Sequence, residues 1–268
     1  MTERLFGRAT SPMLFALYAI ALVSVLFIAS NIDPQPTRAA TGEVVMLDTT
    51  DVGFGAGTLA SSFVAAGKTV VYKTPTDWAA MTAAEFAAYD AVVLADPTCQ
   101  TGTAAITAAI GNAATWGSVV DGNVIIIGTD EQYHNGTGGQ TLMNGAAPFT
   151  VAEPGKTGAY ISLSCYYHGA APSTPLPMLD AAFGSTGDFT TTGVPGCFDS
   201  AHIVATHPAF TSAGVTDATL SGWGCSVHEA FDAWPVGFEV LAIALTGTAY
   251  NAPDGTIGTP YILARGVE

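Results

Sequence analysis

The hydrophobic positions fall into short runs separated by stretches of Gly, Thr and polar residues. Glu43–Asp48 (EVVMLD), Thr69–Lys73 (TVVYK), Ala91–Asp96 (AVVLAD) and Val124–Gly128 are rich in branched apolar residues and too short for helices, so each predicts a strand. Between them lie Ala-rich segments that suit helices. These are Thr58–Ala66, with Gly67 placed as its C-terminal cap, Met81–Tyr89, and Thr103–Trp116, whose Ile106 and Ile110 lie one turn apart on the expected buried face. Strands alternating with helices at this spacing predict right-handed βαβ crossovers and a parallel sheet.

The pattern loosens after His134. Asn135–Gly139 (NGTGG) is expected to be a flexible turn, Gln140–Ala147 a short helix, and Ala159–Leu163 a strand ending at Ser164 and Cys165. Gly169–Pro177 reads as a Pro-rich loop, and Phe183–Pro195 carries little helix signal. His202–Thr206, Thr219–Val227, Phe238–Leu245 and Pro260–Ala264 read as further strands, joined by loops rather than helices. Such connections predict an antiparallel extension of the sheet. The expected fold is one α/β domain over residues 41–268, a three-layer sandwich with a mostly parallel sheet and a C-terminal antiparallel extension.

The first forty residues read differently. Arg4 and Arg8 precede an apolar stretch over residues 13–30, and residues 31–40 (NIDPQPTRAA) form a polar spacer with small residues suited to cleavage. This is the pattern of an export segment, either a cleaved signal peptide or a retained membrane anchor. Both versions place the remainder outside the cytoplasm, secreted or tethered to the outer face of the membrane. That remainder holds only Lys68, Lys73, Lys156 and Arg265 as cations, and the whole chain carries a formal net charge of −15. Nucleic acid is therefore excluded as a partner, because phosphate binding needs clustered cations. Excess acidity is first a solubility device; it also leaves a divalent cation as the one cofactor to consider. Cys99, Cys165, Cys197 and Cys225 are even in number, which in an exported domain predicts two disulfides with three possible connectivities.

The chemistry-bearing stretch is Asn123–His134 (NVIIIGTDEQYH). A run that suits a doubly buried strand stops at Gly128, and Asp130, Glu131 and His134 follow at the end where open α/β sheets bind ligands. His228 and Glu229 form a second acid–base pair late in the chain. If the two segments converge, Asp130, His228 and Glu229 are candidate catalytic residues, and Glu131 and His134 line the same site. The competing expectation is that Asp130 caps the following helix while His228 and Glu229 hold a sheet edge. Asp48 and Asp51, at the end of the first predicted strand, could border the crevice, or serve as turn residues. Cys165 with His168 has the look of a Cys/His nucleophile pair, yet parity assigns it to a disulfide. His168, His202 and His207 lack ligand spacing and read as structural. Trp223, Phe231, Trp234 and Phe238 read as core, with a glycan platform as the alternative.

Three elements of this layout resemble the class I glutamine amidotransferase-like superfamily. Tyr89-Asp90 leads into an apolar strand, Ile127-Gly128-Thr129-Asp130-Glu131-Gln132 has the form of a strand followed by a nucleophile elbow, and Ser226-Val227-His228-Glu229 ends in a His/Glu pair. The resemblance covers residues 43–229 and implies a flavodoxin-like sandwich. In working members the elbow holds a cysteine and the His and Glu are one residue apart. Here Asp130 stands at the elbow and His228 and Glu229 are adjacent, which implies a member without the thioester route. Two functions follow. One is a non-catalytic, exported cell-surface domain with a binding or assembly role towards surface proteins or glycans. The other is an amidase-like hydrolase using Asp130, His228 and Glu229, with or without a metal.

Overall fold

The computed structural model describes residues 41–48, 58–95, 103–184 and 186–266, with the backbone alone for 194–197. The first half of the chain runs β1 (Glu43–Leu47), α1 (Thr58–Ala65), β2 (Thr69–Lys73), α2 (Pro75–Ala80), α3 (Ala83–Phe86), β3 (Ala91–Leu94), α4 (Ala104–Gly111), α5 (Ala113–Gly117) and β4 (Val124–Ile127). It continues through a π-helical turn (Asn135–Gly139), α6 (Gln140–Thr150), β5 (Gly158–Ser162), β6 (Thr174–Pro175), α7 (Pro177–Phe183), β7 (Thr190–Phe198) and β8 (Ala201–Ile203). Last come α8 (Pro208–Thr211), α9 (Asp217–Leu220), β9 (Val227–Ala233), β10 (Glu239–Ala244), β11 (Tyr250–Asn251) and β12 (Ile257–Arg265).

The principal sheet has the order β2-β1-β3-β5-β4-β12-β10-β8. Its first five strands are parallel and its last three antiparallel, as expected from the loop connections. Because successive strand residues face opposite ways, the apolar runs feed two cores. Val44, Met46, Val93, Ile125 and Ile127 pack with Leu59, Phe63 and Leu142 on one face. Val45, Leu47, Val92, Ile126 and Ile161 pack with Trp78, Ile106 and Trp116 on the other. Helices cover both faces, and the result is the expected three-layer α/β sandwich. A second, antiparallel sheet of order β6-β7-β9 completes the C-terminal part.

Local sequence explains several departures from the expected elements. The helix expected at Met81–Tyr89 is shorter and has a separate helix before it. Thr74 caps α2 with Pro75 in its first turn, Met81 is extended, and the Thr82/Glu85 capping box starts α3. The helix expected at Thr103–Trp116 breaks at Asn112, and Ile110, in the last turn before the break, is exposed rather than buried. The strand expected at Thr219–Val227 is not one. A capping box between Thr216 and Thr219 starts the short helix α9, and Gly222 and Gly224 then take positive φ, so extended structure begins only at Val227. Residues 13–30 lie outside the described residues. Among those described, no helix is long and apolar enough to cross a membrane.

Candidate functional site

The site is assembled at Gly128. Its N–H donates to Tyr261 (2.7 Å), and its carbonyl accepts from the backbone N–H groups of both His228 (3.1 Å) and Glu229 (3.2 Å). A Cβ at this position would collide with the Glu229 carbonyl, so a glycine is what lets β9 cross the carboxyl end of β4. That crossing delivers His228 to Asp130. His228 Nε2 lies 2.8 Å from Asp130 Oδ1, and His134 Nε2 lies 3.4 Å from the same oxygen. Cys165 Sγ lies over the imidazole, 3.2 Å from Nδ1 and 3.8 Å from Nε2, and Cys225 Sγ lies 3.5 Å from Nδ1. Cys165 Sγ is also 3.7 Å from Asp130 Oδ2. Donation of Nε2–H to Asp130 leaves the lone pair on Nδ1. The His168 ring, 5.0 Å from that of His228, closes one side, with its Nδ1 3.3 Å from the His228 carbonyl.

Asp130 is not a helix cap. Its backbone carbonyl accepts from Tyr133 and His134, while its carboxylate is committed to the two histidines. Both partners come from elsewhere in the fold or from the next turn, which no cap pattern could reveal.

Glu131 belongs to a neighbouring network. Its carboxylate accepts from Tyr160 OH (2.6 Å) and Ser162 Oγ (2.9 Å), both on β5. Complete burial pushes this carboxyl up to about 7, against the two hydrogen bonds that favour its ionised form. The same contacts, with burial foremost, push the Tyr160 hydroxyl well above its ordinary value. Glu229 is fully buried and both its carboxylate oxygens lack a hydrogen-bond partner. Burial, then the neighbouring Asp130 charge, raise it well above the carboxylate range. The Tyr167 amide pulls the other way. His134 stacks at 31° on Trp223, with ring centres 5.3 Å apart, and burial lowers its basicity.

Folding therefore brings Asp130, His228, His134 and Glu131 to the carboxyl ends of β4 and β5. Glu229 follows His228 on β9 and so directs its side chain to the opposite face of that strand. Asp48 directly follows β1, three strands from β4 in the sheet, or about 14 Å at ordinary strand spacing. No hydrogen bond or ion pair joins it to the cluster among the described residues. Asp51 lies outside the described residues, as do Cys99 and the side chain of Cys197. Cys165 and Cys225 are both held in disulfides. Asp130, Cys165 and His228 present oxygen, sulfur and nitrogen atoms within 4.8 Å of one another. A zinc-like ion would need that sulfur as a thiolate, so the group fits a metal only with the Cys165 disulfide open.

Sequence reasoning missed Tyr160, Ser162, Ser164 and Cys225 as parts of the site. Ser164 is the clearest of these. It is completely buried, adopts a φ of 52°, and its hydroxyl has no hydrogen-bond partner. A left-handed, non-glycine residue directly after a central parallel strand is the kind of strain that gathers at functional sites. The available signal was position alone, since Ser162 and Ser164 border the carboxyl end of an expected strand. His202 and His207 lie away from this cluster. His207 caps α8 by accepting from Ala209 N–H, and His202 lies between Asp217 and Asp254. Trp223, Phe231 and Phe238 are buried, and Trp234 is half-buried, so they offer no open glycan platform.

Comparison with protein-family models, curated proteins and solved structures finds no match to this chain.

Proposed function

We propose that this protein is an exported hydrolase of acyl bonds, of the ester or amide class, with Asp130 and His228 as its acid–base pair. The observation that carries this reading is the 2.8 Å contact between His228 Nε2 and Asp130 Oδ1 at the carboxyl end of β4, which leaves Nδ1 available as a base. In the reaction, Nδ1 takes a proton from water as its oxygen adds to the acyl carbon, a tetrahedral intermediate forms, and the proton passes to the leaving oxygen or nitrogen as its bond to that carbon breaks. Asp130 fixes the imidazole tautomer and stabilises the imidazolium. His134 shares the Asp130 carboxylate and steadies it. Export rests on the residue 1–40 pattern, and the likeness to amidotransferase-like sandwiches supports placing a site at these strand ends.

The test is turnover of a panel of chromogenic esters and anilides by wild type and His228→Gln. General acid–base catalysis contributes roughly 10²–10⁴-fold, and His228→Gln is expected to lose a factor in that range while keeping its circular dichroism. A second reading, a non-catalytic domain for binding or assembly at the cell surface, is favoured by the depth of the cluster. Asp130, Glu131, His228 and Glu229 are each at most 3% exposed. Absence of turnover on every substrate, with and without reductant, would select it.

A further inference from the structure

Of the four cations among residues 41–268, Lys68 lies 2.8 Å from Asp90 and Lys156 lies 3.0 Å from Glu153. Arg265 pairs with no carboxylate among the described residues, although the chain carries 22 acidic residues. It is half-buried, and its guanidinium carbon lies 5.0 Å from the ring centre of Phe183 and 5.2 Å from that of Phe238, so the two rings fix its place. One N–H group reaches the Val120 carbonyl at 3.5 Å, the outer limit of a hydrogen bond, and the others have no acceptor among the described residues. Burial lowers the guanidinium from its ordinary value, as happens to a charge desolvated without an opposite one beside it. A cavity of about 350 Å³ opens at this residue, with Phe238 and Gly237 in its wall. Gly237 takes a φ of 105° and puts no side chain into that space. Glu239 is on the rim, but it is the cross-strand partner of Ala264 and shares its face of the sheet. Arg265, the next residue of β12, points to the other face.

We propose that this cavity binds a small carboxylate, whose oxygens accept from the N–H groups of Arg265 and whose apolar body lies against Phe238. A guanidinium presents a planar fork of donors that matches a carboxylate, and such charge-assisted bonds are strongest where water is partly excluded. The single cation balances a single negative charge. A monocarboxylate therefore suits the cavity better than a phosphate dianion, whose second charge would face a chain of net charge −15 without compensation. Arg265 pairs with Val124, the first residue of β4, so the cavity lies at the amino end of that strand. The Asp130–His228 pair lies at its carboxyl end, and the carboxylate site does not rest on the hydrolase reading.

The test is a titration of the full chain with sodium benzoate, at an ionic strength held constant with sodium chloride. It is followed by nitrogen-15 NMR of the arginine Nε–Hε groups. The chain has four arginines, Arg4, Arg8, Arg38 and Arg265, and the signal lost in Arg265→Lys identifies the last. Benzoate is expected to move the Arg265 signal to saturation and leave the other three in place. It is also expected to raise the wild-type melting temperature, because a ligand of the folded state stabilises it. Arg265→Lys keeps the charge and loses the fork. Its affinity for benzoate, read from the dependence of melting temperature on concentration, is expected to fall roughly tenfold, the worth of one charge-assisted hydrogen bond. Movement that does not saturate, or equal movement of all four signals, would overturn the site as mere screening. Equal affinity in wild type and Arg265→Lys would also overturn it, and tighter binding of inorganic phosphate than of benzoate would overturn its assignment to carboxylates. If the variant does not fold, the wild-type titration decides alone, since one signal of the four is expected to move.

Discussion

Glu131 shows how far a single side chain's chemistry depends on neighbours that the sequence does not name. In isolation it is one more acid in an acidic chain. In the fold it is sealed under Tyr160 and Ser162, and its carboxyl rises from 4.5 to about 7. A carboxyl raised in the folded state keeps its proton longer there than in the unfolded chain. Its contribution to stability therefore declines as pH climbs from about 4.5 to about 7, by on the order of 3 kcal/mol in total at about 1.4 kcal/mol per unit. Glu131→Gln keeps a Tyr160 hydrogen bond and cannot ionise. Chemical denaturation at pH 5 and pH 7.5 is expected to show the wild type losing stability relative to Glu131→Gln across that interval. Equal pH dependence in the two proteins would show that Glu131 is not held protonated. Asp130 carries a similar lesson. Next to Glu131 and ahead of a turn it resembles a cap, and only the arrival of His228 from a distant strand gives it another use.

At the scale of elements, runs apolar on both faces were legible. β1, β3 and β4 could be read directly, because Val44–Leu47, Ala91–Leu94 and Val124–Ile127 feed both cores and contain no polar residue. The insertion of β5 between β3 and β4 was not legible, since strand order is a long-range pairing that no local pattern encodes. The Thr219–Val227 misreading has a local cause. Its alternation imitates a strand, while the Thr216–Thr219 capping box and two positive-φ glycines impose a helix and turns. One junction of elements is pH-dependent. His202 on β8 places Nδ1 2.7 Å from Asp217 at the start of α9 and Nε2 2.7 Å from Asp254 in the β11–β12 turn. Hydrogen bonds to Asp254 and Asp217 raise the His202 basicity. A raised histidine stabilises fully below its unfolded value of about 6.5, and that contribution disappears as pH rises through the folded value. The expected result is a wild-type melting temperature that falls more between pH 6 and pH 9 than that of His202→Gln. Parallel curves would remove the clamp from the account.

For the whole molecule, the organising event is the meeting of two sheets. The principal sheet ends β4 at Gly128, and the antiparallel β6-β7-β9 sheet brings its last strand across that point, so that Asp130 and His228 touch although the chain between them builds much of the C-terminal part. Sandwich, strand ends and candidate residues were each visible in the sequence. Their convergence was not, because it depends on a glycine carbonyl shared by two amides of a strand from another sheet. Nitrogen-15 NMR of the imidazole of His228, in wild type and in Asp130→Asn, tests this convergence most directly. Wild-type His228 is expected to carry its proton on Nε2, hydrogen-bonded to the Asp130 carboxylate, with the Nε2 resonance moving in Asp130→Asn. A His228 protonated on Nδ1 alone, with a spectrum unchanged by Asp130→Asn, would contradict it.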